Sequence, residues 1–159
     1  MAVFDLGRLL LVLSEERVEF IIVGGVAAAL QGAPVLTQDV DILYRIEDGN
    51  LERLERALTT LHAVARGDPR NLPFGRSHLA TTGHTLATTD AGALDVLGSI
   101  NDSVLYDDLI GSSEELEVTG QRVKVLSLKR LIELKRALAR PKGSRDASGP
   151  RGDASRTRS

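Results

Sequence analysis

Phe20-Ile21-Ile22-Val23-Gly24-Gly25 and, a dozen residues on, Thr37-Gln38-Asp39-Val40-Asp41-Ile42 are the two stretches that decide how this sequence reads. The first is a compact apolar run of branched residues ending in a glycine pair, which suits a strand buried on both faces. A short helix over 26–31 follows, and Gly32-Ala33-Pro34 breaks it. Residues 39–44 then alternate acidic and apolar side chains, as a strand with two different faces does. Asp39 and Asp41 project from one face, and Val40 and Ile42 enter the core on the other.

Working outward, Leu6, Leu9, Leu10 and Leu13 fall at helical spacing, so 5–16 reads as an amphipathic helix laid on the domain. Leu51, Leu54, Leu58 and Leu61 repeat the pattern over 50–62, with Asn50 as the expected N-cap. Two prolines and two glycines mark 66–76 as a mobile loop, and the Thr-rich 77–89 predicts one or two strands. Residues 93–97 and 122–126 read as further strands, and Ser127 caps a helix running to about residue 140. The acidic run Glu114-Glu115-Leu116-Glu117 reads as solvated surface. The expected fold is α+β, a mixed sheet flanked by helices. One domain occupies 1–140, and 141–159 form a basic low-complexity tail without apolar periodicity, expected to be disordered.

The bulk composition excludes several function classes. At 159 residues the chain suits one domain with its own core. Aromatic residues make up 3%, leaving few rings to stack on bases. Without cysteine there is no disulfide framework and no thiolate metal site, so a metal must be held by oxygen or histidine. The formal net charge of -2 divides unevenly: 141–159 hold five basic and two acidic residues, against fifteen and twenty in 1–140. An acidic body argues against a broad nucleic-acid surface. The opening apolar run lacks a basic leader and is soon followed by acids, so neither a signal peptide nor a membrane span is expected, and the location is expected to be cytoplasmic.

The chemistry concentrates in the acids. Two carboxylates side by side repel unless a cation lies between them, and a hard divalent ion such as magnesium is the usual partner. Asp95, on the predicted strand 93–97, would complete the cluster, with Asp90 and Asp102 as fallback candidates. Gly24 and Gly25, lacking side chains, would let backbone N–H groups approach triphosphate oxygens closely. The stretch Gly24-Gly25-Val26-Ala27-Ala28-Ala29 does not carry the Gly-x-Gly-x-x-Gly fingerprint of dinucleotide binding. Thr37 is a candidate for a phosphate contact or a turn tie, and Lys135 for reaching a triphosphate from its helix. His62, His78 and His84 have no zinc-hydrolase spacing, and the latter two are expected on strands; no Gly-x-Ser-x-Gly elbow is present.

Gly24-Gly25-Val26-Ala27, Gln31-Gly32 and Thr37-Gln38-Asp39-Val40-Asp41-Ile42 together resemble the nucleotidyltransferase (polymerase beta-like) superfamily, in particular small members related to the AbiEii toxins. The resemblance continues through 126–135 and Arg140-Pro141-Lys142, so it covers about 18–142. It implies a nucleotidyltransferase fold with the phosphates at Gly24 and Gly25 and magnesium at Asp39, Asp41 and Asp95. The implied reaction moves a nucleoside monophosphate from a nucleoside triphosphate, ATP included, to a hydroxyl of a tRNA, a protein or a small molecule such as an antibiotic. It also implies a toxin–antitoxin setting, with a homodimer or a small helical protein as partner. Family members often carry His where Gln31 stands and Arg where Val35 stands, and continue beyond Lys142 into a final helix where this chain has Gly143. Those departures favour the alternative of a catalytically inactive module that binds nucleotide or a partner protein.

Overall fold

The computed structural model describes residues 4–34, 39–70 and 72–139. Thr37, Val35, Arg140-Pro141-Lys142 and the 141–159 segment therefore lie outside the described residues. The chain runs α1 (Leu6–Glu15), β1 (Phe20–Val23), α2 (Gly24–Leu30), β2 (Asp39–Tyr44), α3 (Asp48–Thr60) and β3 (Val64–Ala65). It continues with α4 (Arg76–Leu79), β4 (His84–Thr89), β5 (Gly92–Leu97) and α5 (Tyr106–Leu109). A 3₁₀ turn (Ile110–Ser112), β6 (Ser113–Val118), β7 (Gln121–Leu126) and α6 (Leu128–Ala139) complete it.

Among the described residues the strands form one mixed sheet in the order β3-β4-β5-β2-β1-β7-β6. β2 is the central strand, parallel to β5 and antiparallel to β1, and β1 in turn runs parallel to β7. The period of two along these strands sorts their side chains into two layers. Phe20, Ile22, Val40, Ile42, Tyr44, Leu94 and Val96 enter one core, which α1 and α3 cover with Leu9, Leu10, Leu13, Leu51, Leu54 and Leu58. Ile21, Val23 and Leu43 enter a second, smaller core with Leu109, Leu126 and Leu134. The FIIV run is thus buried on both faces, as its composition predicts. The same alternation leaves Asp39, Asp41 and Asp95 on the face of the smaller core.

Several local expectations differ from the structure. Asn50 is not the cap of α3. Glu47 is, accepting from the N–H groups of Gly49 and Asn50 at 3.0 Å each, and these donors hold its carboxyl below its usual range. Asn50 is instead fully buried. Its Oδ1 accepts from Glu19 N at 2.7 Å, and its Nδ2 donates to Glu19 O at 3.0 Å and Arg45 O at 2.8 Å. An amide is the one short side chain that can both donate and accept in this way, so Asn50 ties the start of β1 and the end of β2 to α3.

α2 starts at Gly24 rather than Val26, because a φ of +72° at Gly24 turns the chain directly out of β1. His84 lies on β4 as expected, whereas His78 lies on α4, where its Nδ1 accepts from Gly75 N at 3.0 Å. The acidic run is exposed as expected, but it is also edge strand β6, with Leu116 packed on the larger core. Charged side chains on an edge strand discourage pairing with other chains. Ser127 does cap α6, its Oγ accepting from Arg130 N at 3.3 Å. No helix of the described residues is long and apolar enough to cross a membrane.

Candidate active site

β2 and β5 are parallel neighbours with Asp41 opposite Asp95 and Asp39 opposite Ala93. Facing residues on adjacent strands point the same way, so the three acids converge, although 54 positions separate Asp41 from Asp95 in the numbering. One carboxylate oxygen from each of Asp39, Asp41 and Asp95 lies within 4.8 Å of the other two, and all three residues are half-buried. Burial is the chief cause that pushes the Asp41 carboxyl up to about 7. A hydrogen bond with Asp95 and repulsion from Asp95 and Asp39 add to it, and Arg66 offsets part. A raised Asp41 carboxyl relieves part of the cluster's charge; a divalent cation does so more completely. The donor set is all carboxylate oxygen, which suits hard ions such as magnesium or manganese, and the spacing lets the three acids share an ion. The residues present therefore fit a divalent metal.

Gly24 sits directly under this cluster. A Cβ built there would collide with the Asp41 carboxylate, and its φ of +72° is one that side-chain-bearing residues rarely adopt. Glycine is thus required twice over at this position. A groove of about 540 Å³ is lined by Gly24, Gly25 and Asp41 and, from α6, by Leu131, Leu134 and Lys135. Lys135 is exposed there, so the structure brings the lysine and the glycine pair to one groove.

The fallback acids do not join the cluster. Asp90 lies in the β4–β5 turn, where its Oδ2 meets His62 Nδ1 at 2.5 Å, and Asp102 lies in the loop after β5 with a φ of +64°. Gln31 is a structural tie, its Nε2 donating to Leu126 O at 3.3 Å. The residue that sequence reasoning missed is Arg66. Its Nη2 donates to Asp95 Oδ1 at 2.6 Å. Nothing local marks it, since it is one arginine in a stretch rich in loop residues. Only the sheet order places it beside the acids.

The model of the family described as "Nucleotidyl transferase of unknown function (DUF2204)" matches residues 2–146. No curated protein matches the sequence. Among solved structures, the fold resembles a candidate nucleotidyltransferase from Thermotoga maritima, with a TM-score of 0.59 and 22% identity over 84% of this chain and 81% of that one. It also resembles ANT(2'')-Ia in complex with adenylyl-2''-tobramycin, with a TM-score of 0.55 and 19% identity over 84% of this chain and 74% of that one. At these identities the likeness is one of fold.

Proposed function

We propose, for a chain that belongs to the nucleotidyl transferase family, that it moves a nucleoside monophosphate from a nucleoside triphosphate to a hydroxyl with the help of magnesium. The observation that carries this reading is the convergence of Asp39, Asp41 and Asp95 within 4.8 Å, next to the glycine pair. Asp39 and Asp41 would hold the metal, with Asp95 as the third carboxylate. The bound cation would supply charge stabilisation at the phosphorus undergoing attack and lower the cost of ionising the acceptor hydroxyl. Asp95 takes the proton from that hydroxyl; the new bond joins its oxygen to the α-phosphorus, and the bond to the β-phosphate bridging oxygen breaks, releasing pyrophosphate. Gly24 and Gly25 let the triphosphate lie close to the backbone, and Lys135 balances the charge of the leaving pyrophosphate from the same groove. A groove of about 540 Å³ is of the size that holds a nucleotide, and its leucines offer the base an apolar wall.

Isothermal titration with magnesium and each nucleoside triphosphate tests the site, comparing the parent with the double variant Asp39→Asn/Asp41→Asn. Metal-dependent triphosphate binding in the parent that disappears in the double variant is the expected result. Equal binding in both, or none in either, would sink the metal-dependent reading. With binding established, labelled nucleotide presented with tRNA, protein or small polyhydroxyl acceptors identifies the hydroxyl that is modified.

A further inference from the structure

Arg66 leaves β3 at the outer edge of the sheet, and its backbone N–H donates to Leu86 O at 2.9 Å, fastening the residue to β4. From there the guanidinium reaches across β4 to β5. Nη2 donates both to Ala87 O at 2.8 Å and to Asp95 Oδ1 at 2.6 Å. Leu86 faces Asp95 in the register, so the arginine lies over the same face of the sheet as the acids. The pair is also partly withdrawn from water, with side-chain exposures of 32% for Arg66 and 17% for Asp95. Ion pairs such as Arg122–Glu115, at 68% and 44%, lie in the open and contribute little. A short, partly desolvated pair anchored by a backbone carbonyl is a fixed feature of the site.

Arginine does not give up its proton, so this positive charge is permanent. Arg66 therefore offsets part of the negative charge around Asp41 and Asp95, and a divalent cation offsets more of it. A second divalent cation needs further negative charge, and a triphosphate supplies it. On the proposed metal-dependent transfer, we infer that Arg66 is a positioning residue, the resident cation of Asp95, that couples loading of the third carboxylate by metal to arrival of the nucleotide. Without nucleotide the guanidinium competes with a divalent ion for Asp95. With nucleotide present, phosphate oxygens offer it another anion, and Asp95 is released to the metal and the acceptor.

The test is manganese binding to the full chain, read from the paramagnetic resonance of the free ion, with and without a non-hydrolysable triphosphate analogue. Arg66→Met is compared with the parent, with Arg66→Lys, which keeps the charge, and with Asp39→Asn/Asp41→Asn. Without nucleotide, Arg66→Met is expected to bind manganese about tenfold more tightly than the parent, because a like charge close to the ion has been removed. Arg66→Lys should stay near the parent, and saturating analogue should shrink the gap between parent and Arg66→Met to within about threefold. A merely structural arginine would give looser binding or none of these differences. Should Arg66→Met fail to fold for want of the Ala87 hydrogen bond, Arg66→Gln keeps an amide donor there without the charge. Unchanged or weaker manganese binding in the neutral variants, with binding still abolished in the double aspartate variant, would overturn the role of Arg66 alone. Manganese binding indifferent to Asp39 and Asp41 would overturn the metal site and this inference with it.

Discussion

Asp41 and Gly24 are the residues on which the site turns, and each has a measurable signature. The Asp41 carboxyl is pushed up to about 7 in the folded protein from 3.8, first by burial and then by its acidic neighbours. Between those values the folded state binds more protons than the unfolded one, so stability falls as pH rises from about 4 to 7. In the presence of a chelator the loss should be on the order of 1–2 kcal/mol, less than the full shift implies because the group keeps part of its water. Urea denaturation midpoints from pH 5 to 8 measure it. The slope should vanish in Asp41→Asn and flatten in the parent with excess magnesium; an identical slope in Asp41→Asn would refute the assignment. At Gly24 a methyl group meets both an unfavourable φ and the Asp41 carboxylate. Gly24→Ala should cost about 1–2 kcal/mol and displace Asp41, abolishing metal binding. Gly32, with a φ of +98° but open space around it, is the control: Gly32→Ala should cost stability and leave metal binding intact. Equal metal binding in the two alanine variants would show that Gly24 serves the backbone alone.

At the scale of elements, the register between β2 and β5 makes the cluster, and the ties between helices and strand ends hold that register. Asn50 is the clearest of these ties, since its amide closes three hydrogen bonds to the backbone at the start of β1 and end of β2 while fully buried. Asn50→Ala leaves Glu19 N, Glu19 O and Arg45 O without that partner and should lower stability by about 2–4 kcal/mol, read by chemical denaturation. A loss below about 0.5 kcal/mol would mean that water replaces the amide. The difference between the expected and actual role of Asn50 is instructive. Asparagine is favoured at helix starts, so its position just before a leucine-patterned helix predicts a cap. The helix starts earlier than the leucine pattern suggests, at Asp48, so Glu47 caps it through Gly49 N and Asn50 N and the asparagine is left for the strands.

Across the whole molecule, what was legible in the sequence is what depends on near neighbours along the chain. The alternation in 39–44 and the unbroken apolar run of 20–23 determine which faces are buried, and both elements formed where the pattern put them. Asp95 was legible only through its strand, because its partnership with Asp41 depends on β5 choosing β2 as its neighbour. β6 was hidden because an edge strand buries little, so its three glutamates read as solvent-facing surface. Arg66 could not be found from sequence at all, since its meeting with Asp95 requires the order β3-β4-β5 to be known.

That order also sets a sequence of events during synthesis. By residue 97 the chain has made β3, β4, β5, β2 and β1, five adjacent strands that already carry all three acids. Of the two outer strands of this set, β1 is the more apolar, with its free edge awaiting β7 and with Ile21 and Val23 awaiting α6. The strands that carry the acid cluster are thus all made before β7, and about thirty residues, from 98 to 126, separate them from the end of the strand that covers the edge of β1. Until β7 pairs with it, that edge offers its backbone groups to any strand that meets it, another copy of the chain included.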